Sequence, residues 1–424
     1  MPGTGFPGGD HGKIRFYLEF SELCKDMRYM FNKVYIPYRG YFSSPFVRWQ
    51  GSFASVHSIP LAGATVRRWL ASRGWSARLF DYLNFGSTVA QPHVFFGGPW
   101  MARLIGEDQL PGIWISQACS TSTSAIYQAA LAVETGSVVT VINIMADRCS
   151  NGPHTVWPNP NGPGGKPDAE DWVWDNFSGD PIARTAMIDC AEVVAAAAGI
   201  TREECDRVAL RRYEQYLDGT ANERAFQRGY LFPVEVPAGK NETITVEADE
   251  GVFPTTAEGL AALEPVRPGG VVTFGSQTHP ADGHAAMIVT TRQTATELAP
   301  NGPEIQVLSY GFSREKPLFM PAAPVPAAEM ALARAGLGIG DVKAIKTHNP
   351  FAVNDIYMAR KMGLEVDGFN NFGSPLVYGH PQGPTAGRCL IELIEELVRA
   401  GGGYGLFTGC AAGDMGAALA VKVG

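Results

Sequence analysis

Apolar and polar positions along the chain form two stretches of alternating strand and helix, separated by a stretch that keeps neither period. In the first, residues 33–150, the apolar strand VYIPY (34–38) leads through a loop to a helix over 61–73, LAGATVRRWLASR. A Gly- and aromatic-rich segment, FFGGPWMARLIG (95–106), follows. WISQACSTSTSAIYQAALAVE (114–134) then opens as a short strand, turns at Cys119 and continues as a helix of small residues. A turn at Gly136 and the β-branched strand VVTVINI (138–144) complete the unit. The second stretch, 304–424, repeats the style. Strand IQVLSYGF precedes a helix over 325–336 and strand VKAIKTH (342–348). The loop HNPFAVND and a helix ending near Gly363 come next. The Gly-rich loop FGSPLVYGHPQGPTAGR (372–388), a helix over 386–399 and the strands YGLFTGC and MGAALAVKV close the chain. Strands alternating with helices predict an α/β fold with sheets covered on both faces.

Between them the pattern changes. HTVWPNPNGPGGKPDAEDWVWDNFSGDP (154–181) is loop-rich and carries three tryptophans. Helices are expected over 181–198 and 201–217, the second opened by Thr201 with Glu204 three residues on, a capping box. This part reads as an insertion that covers something. Residues 271–295 return to strands around the polar turn SQTHPADGH. The expected organisation is an N-terminal extension over 1–32, an N-terminal half over 33–150, an inserted loop domain over 151–270, and the remainder over 271–424. Within the extension, IRFYLEFSELCKDMRYMFN (14–32) is aromatic on a mixed-charge background. It reads as an arm that docks on the body or on a partner, or as an ordinary extra strand plus helix.

Composition narrows the classes. Net charge −8 argues against nucleic acid as a main partner. No apolar run approaches the roughly 18 residues that span a bilayer, and MPGTGFPGGDHGK has no apolar core of a signal peptide. A cytoplasmic protein is expected. The seven cysteines are odd in number, scattered and without a Cys-x-x-Cys pair, which weakens both a zinc site and a disulfide framework.

Cys119 stands where a helix begins, a place where free N–H groups and the helix dipole lower a thiol's pKa. Read alone, it could equally be a buried, inert core cysteine. His380 sits in GHPQG, in a loop that opens a small-residue helix. His348 follows a strand. Cys410 ends a strand before a Gly-rich turn. Each is ambiguous by itself. The Cys119 and His380 segments share one order: reactive residue, small-residue helix, Gly turn, apolar strand. Two related halves would bring both residues to matching helix starts near a pseudo-twofold axis. Two cysteines and two histidines at strand ends and loop tips suggest thiol chemistry, with a histidine activating a nucleophilic cysteine and the second cysteine handling a proton.

Taken together, Cys119 before a helix, HNPFA (348–352), GHPQG (379–383) and GCAAGDMGAA (409–418) resemble the thiolases. DRCSNGPH (147–154), GITREECDRVALRRYEQ (199–215) and TFGSQTHPADGHAA (273–286) are similar to quieter family segments, and the matches run in order from about residue 33 to the C-terminus. The resemblance implies two βαβαβαββ halves in an α-β-α-β-α layering with an inserted loop domain. It implies that Cys119 is acylated by a thioester and that His380 takes the thiol proton. Cys410 would move a proton at the α-carbon in the Claisen step. His348 and His380 would form one oxyanion hole, and the backbone N–H groups of Cys119 and Ala412 a second. Fixed donors of this kind stabilise the charge that develops on a thioester oxygen. The loop domain would hold coenzyme A, with His154 and Thr278 along the pantetheine tunnel. Acyl-CoA and coenzyme A are the implied ligands, coenzyme A as a substrate, with no permanently bound cofactor and no metal.

The chain departs from the family pattern at two motifs. His348-Asn349-Pro350-Phe351 stands where most thiolases carry Asn-Glu-Ala-Phe, a feature of sterol-carrier-type and archaeal members. CAAGD replaces Cys-x-Gly-Gly-Gly. The resemblance further implies a homodimer or larger assembly and, for histidine-type members, a small zinc-ribbon/OB-fold companion subunit. The expected reaction is thiolytic cleavage of a 3-oxoacyl-CoA or its reversal. The aromatics of 80–101 and 157–177 suggest a bulky or aryl acyl group, as in benzoylsuccinyl-CoA thiolase, or are ordinary core and dimer contacts. A hydroxymethylglutaryl-CoA-synthase- or ketoacyl-synthase-like enzyme and a non-catalytic, CoA-binding scaffold subunit are the alternatives.

Overall fold

The computed structural model describes residues 29–239 and 242–424. The long helices are α1 (Ser58–Ser72), α2 (Gly97–Ile105), α3 (Thr121–Glu134), α4 (Met187–Ala198), α5 (Arg202–Arg224), α6 (Pro324–Arg334), α7 (Ala352–Met362) and α8 (Thr385–Arg399). In the first half, strands β1 (Tyr41–Ser43), β2 (Val47–Arg48), β3 (Tyr82–Gly86), β4 (Gly112–Ile115) and β5 (Thr140–Arg148) are joined by β10 (Ala281–Thr290). Before β10 come two small hairpins, β6 (His154–Trp157) with β7 (Asp168–Asp171), and β8 (Val234–Pro237) with β9 (Thr243–Val246). The second half contains β11 (Ile305–Arg314), β12 (Val342–His348), β13 (Gly403–Ala411) and β14 (Met415–Val423).

The two main sheets follow one plan. The first runs β1-β10-β5-β3-β4 and the second β11-β14-β13-β12. In each, an antiparallel pair lies beside a parallel one: β10 against β5 and β5 along β3 in the first, β14 against β13 and β13 along β12 in the second. The internal repeat expected from the sequence is therefore present in four strands of each sheet, while β2 and β4 of the first have no counterpart in the second. The central strands are buried almost throughout because helices cover both faces, so they read as continuous apolar runs rather than alternating ones.

Helices α3 and α8 fill the layer between the sheets. Ile126, Ala129, Ala130 and Val133 of α3 share a core with Ala386, Cys389, Leu390, Leu393 and Leu397 of α8. The alanine content of α3 lets the two helices lie close. The layering is α-β-α-β-α, the thiolase fold.

Several boundaries differ from expectation. The expected strand at 34–38 makes only isolated bridges from Tyr35 to Thr290 and Gln306, since Pro37 cannot donate to a ladder. The helix expected from 181 starts at Met187, where Asp189 accepts the N–H of Ala186. The helix expected over 201–217 runs to Arg224 with a break at Ala221–Glu223, and its capping box forms as expected. The expected strands on both sides of the 276–284 turn reduce to one, β10, which begins inside the turn; Gln277 and Pro280 of the turn make single bridges to Phe351 and His380. The arm proposed for 1–32 lies outside the described residues except for its end. There Phe31 is buried in the chain's own core and the Met30 N–H donates to the Arg334 carbonyl.

Candidate active site

Cys119 and His380 come from different halves and meet at the facing starts of α3 and α8. Cys119 sits in a tight turn, Ala118–Ser120, just ahead of α3. Ala118 is held at φ 44°, a left-handed conformation costly for a residue with a Cβ. The turn is fastened by Thr121, whose hydroxyl donates to the Ala118 carbonyl and accepts the Gln117 N–H. His380 Nε2 lies 3.1 Å from Cys119 Sγ, and His380 Nδ1 lies 2.7 Å from the Thr385 hydroxyl at the start of α8. Thr385 thus fixes the ring that faces the thiol.

The GHPQG loop is pinned from below. Asp147, at the end of β5, accepts the Gly383 N–H at 2.9 Å and also the N–H groups of Thr88 and Val89. Gly379 holds φ 93°, and a Cβ there would lie 2.7 Å from His279 Nε2, so only glycine fits.

His348 ends β12 with its ring 4.2 Å from that of His380, centroid to centroid. It is buried, and neither of its ring nitrogens has a hydrogen-bond partner. A buried network holds the HNPFA loop. Asp355 accepts from Arg212 Nε at 2.9 Å, Thr347 Oγ1 at 2.7 Å and Asn349 Nδ2 at 2.7 Å. Cys410, at the end of β13, is buried, and Asn354 Nδ2 donates to its Sγ at 3.3 Å.

Electrostatics set the resting protonation state. Burial pushes the Cys119 thiol up to about 12, although the N–H groups of Ala412 and of Cys119 itself point at the sulfur and pull the other way. The lowered thiol pKa expected from a helix start is therefore corrected: desolvation outweighs the N–H groups, and α3 proper begins two residues later. Burial, then the neighbouring His348 and His279, hold His380 well below the usual imidazole range, and burial alone lowers His348 to about 3. Cys410 is raised well above an ordinary thiol by burial and by Cys119. These shifts all favour the uncharged forms, a thiol facing a neutral imidazole at 3.1 Å.

A cavity of about 980 Å³ opens onto Cys119, His380, Cys410, Ala412 and Gly413. Much of its lining is apolar, including Trp157, Trp172, Trp174, Phe177, Ile182 and Ile188 from the segment between β5 and β10. Trp172 Nε1 donates to the Thr88 carbonyl, which ties the tryptophan segment to the loop held by Asp147. Thr278 lines this cavity. His154 does not: it lies on β6 with its side chain 77 % exposed, 3.9 Å from Asp171. The same hairpin reaches the cavity through Trp157 and Glu170 instead, because alternate residues of a strand face opposite ways.

The structure thus brings Cys119, His348, His380, Cys410, Ala412 and Thr278 together. Sequence reading missed Thr385, Asn354 and Asp147. Thr385 falls five residues past His380 and Asn354 four past Pro350, spacings visible in the sequence; the Asp147 contact spans more than 230 residues to Gly383 and could not be read there.

Comparisons with known proteins agree with this geometry. The thiolase N-terminal domain model matches residues 42–293 and the thiolase C-terminal domain model matches 302–423. An acetyl-CoA acetyltransferase of Chromobacterium violaceum is 31% identical over 315 residues, 74% of this chain and 80% of that protein. A beta-ketoadipyl-CoA thiolase of Pseudomonas knackmussii is 28% identical over 398 residues, 89% of this chain and 96% of that one. Among solved structures, the Bacillus anthracis acetyl-CoA acetyltransferase superposes with a TM-score of 0.85 at 25% identity, covering 93% of this chain and 99% of that one. The chain belongs to the thiolase family and is an acyltransferase.

Proposed function

We propose that this chain cleaves a 3-oxoacyl-CoA with coenzyme A, or joins two acyl-CoA molecules in reverse, through an acyl-thioester on Cys119. The observation that carries the reading is the 3.1 Å contact between Cys119 Sγ and His380 Nε2 at the mouth of a cavity that also exposes Cys410. Cys119 attacks the carbonyl while His380 takes its proton. The N–H groups of Cys119 and Ala412, already aimed at the sulfur, are the donors proposed for one thioester oxygen. His380 and His348 are proposed to receive the other. Cys410 removes or returns the α-proton. Coenzyme A enters as a substrate along the wall containing Thr278, under the segment between β5 and β10.

The tryptophan-rich wall favours a bulky or aromatic acyl group, of the kind carried by benzoylsuccinyl-CoA, over acetyl alone. Assembly as a homodimer, with or without a small companion subunit, belongs to the same reading. Among the described residues, no helix is long and apolar enough to cross a membrane.

The test offers acetoacetyl-CoA, a long-chain 3-oxoacyl-CoA and an aryl 3-oxoacyl-CoA, each with coenzyme A. Turnover and the mass of the Cys119 peptide are followed together. An acyl adduct on Cys119 and the largest kcat/KM with the aryl substrate are expected. Turnover retained in Cys119→Ser would overturn the nucleophile assignment, and a preference for acetoacetyl-CoA would overturn the substrate reading.

A further inference from the structure

The three side chains proposed to handle the thioester can also act as metal ligands when no thioester is bound. One ring nitrogen each of His348 and His380 and the sulfur of Cys119 lie within 4.8 Å of one another. Two sp² nitrogens and a thiolate form the donor set that suits Zn²⁺ and its Co²⁺ stand-in. His348 is the independent sign that something binds there. It is 1 % exposed, and both of its ring nitrogens lack a partner, which is costly for a buried polar ring.

We propose that Cys119, His348 and His380 form a three-ligand site for a thiophilic divalent cation such as Zn²⁺, whose binding reversibly occupies the sulfur. With a Zn–S distance of about 2.3 Å and Zn–N of about 2.0 Å, tetrahedral ligands stand roughly 3.5 Å apart. The present 3.1 Å between Cys119 Sγ and His380 Nε2 needs only a small opening, and His348 must close in from a separation of up to 4.8 Å. The support around the ligands is in place. The Thr385 hydroxyl sits 2.7 Å from His380 Nδ1; with Nδ1–H donating to that hydroxyl, the Nε2 lone pair faces the site, the arrangement in which zinc-bound histidines are held. The N–H groups of Ala412 and Cys119 offset the negative charge of a bound thiolate. Three protein ligands would leave a fourth position, which water or an incoming thiol would reach from the cavity that Cys119 and His380 line. Binding forms one S–metal bond and releases the Cys119 proton to solvent; no electron is transferred. The binding rests on geometry alone, whereas the loss of activity that goes with it rests on the proposed role of Cys119.

The experiment titrates the full-length, chelator-free protein with Co²⁺ and reads the thiolate-to-cobalt charge-transfer absorption. One equivalent is expected, displaced by Zn²⁺ and removed by EDTA. Saturating Zn²⁺ should slow iodoacetamide labelling of Cys119 at least about tenfold, and EDTA should restore it. Cys119→Ala should lack the band, and His348→Asn should bind at least about tenfold more weakly. No band in the wild type, a band that survives in Cys119→Ala, or unchanged affinity in His348→Asn would each overturn the site. None of these readouts requires turnover, so failure of the site and failure of the thiolase reaction are distinguishable.

Discussion

The two halves share a topology but handle buried acids in opposite ways. On the Cys119 side, Asp147 and Asp282 rest on N–H and O–H donors: Asp147 on Thr88, Val89 and Gly383, Asp282 on the Ser150 N–H. Burial raises each to about 6. On the His380 side, and where the inserted segment packs on it through Asp249 and Arg212, buried acids meet buried cations. Arg388 grips Asp249 through both terminal nitrogens at 2.6 and 2.8 Å and reaches Glu392 at 3.0 Å; Lys346 lies 3.4 Å from Glu392, and Arg212 lies 2.9 Å from Asp355. Two sheets built alike thus carry different electrostatic loads. A fixed negative charge beside Cys119 works against a thiolate, and Asp147 does raise that thiol. An acid that can take up a proton opposes a thiolate at Cys119 less than one locked in its charged form. The ion network instead surrounds Tyr378, two residues before His380, whose ring lies 3.7 Å under the Arg388 guanidinium. It secures a loop rather than tuning a thiol.

The division between halves breaks most severely at the two cysteines. Cys410→Ala should lose about 10²- to 10⁴-fold in the condensation or cleavage cycle, the usual worth of a positioned acid/base. It should still become acylated, because Cys119 and His380 are untouched. Mass spectrometry of the trapped enzyme decides the point: no adduct in the variant beside a clear one in wild type would refute two separate roles.

Arg388→Met tests the charged half. Removing one partner of a buried ion pair leaves Asp249 uncompensated and costs about 3–5 kcal/mol. A matching change on the other central helix, Ser122→Ala, removes one neutral hydrogen bond to the Gly383 carbonyl, worth about 1 kcal/mol. Thermal melts of the two variants at one pH should separate clearly. Equal shifts would mean that the halves do not differ in how they are held.

Much of this was legible in the sequence because it is local. The β-strand and helix runs, the capping box at Thr201 and the Gly turns announce themselves within a few residues, and β14 spans the expected 415–423. The reactive side chains were legible because each sits beside glycine, proline or a strand end. What stayed hidden depends on three dimensions. The direction of the Cys119 pKa turns on burial, which a helix start does not reveal. His154 sits on the expected segment but on the other face of its strand. The ion network joins Asp249 to Arg388, 139 residues apart, and no pattern within either segment points to the other.

Asn354 sharpens the comparison from the second cysteine. Its Nδ2 donates to Cys410 Sγ, and its Oδ1 is buried without a partner. One amide can therefore face the sulfur as donor to a thiolate or, after a turn of the side chain, as acceptor from a thiol. Asn354→Leu removes both options. A hydrogen bond to a charged group contributes about 1.5–3 kcal/mol, so exchange of acetyl-CoA α-protons with deuterated solvent should slow by roughly 10- to 100-fold. Acylation of Cys119 should proceed at its normal rate. Slowed acylation with unchanged α-exchange would place Asn354 with the other cysteine.

The smallest effect concerns Asp282, whose Oδ2 has no hydrogen-bond partner although the residue is 1 % exposed. Burial raises its carboxyl from 3.8 to about 6, with the Ser150 N–H pulling it back. Between those values the folded chain holds a proton that the unfolded chain has released, so stability falls as pH rises from about 4 to about 6 and stays lower above that. The shift of about two units corresponds to roughly 3 kcal/mol. Asp282→Asn removes that dependence but weakens the hydrogen bond from Ser150, since a neutral acceptor is poorer than a carboxylate. A net gain of about 1 kcal/mol is expected at pH 8, turning into a small loss near pH 4. Melting temperatures of both proteins across that range show it as two crossing curves. Parallel curves would mean that Asp282 keeps one protonation state throughout, leaving Asp147 alone as the titrating acid of the thiol half.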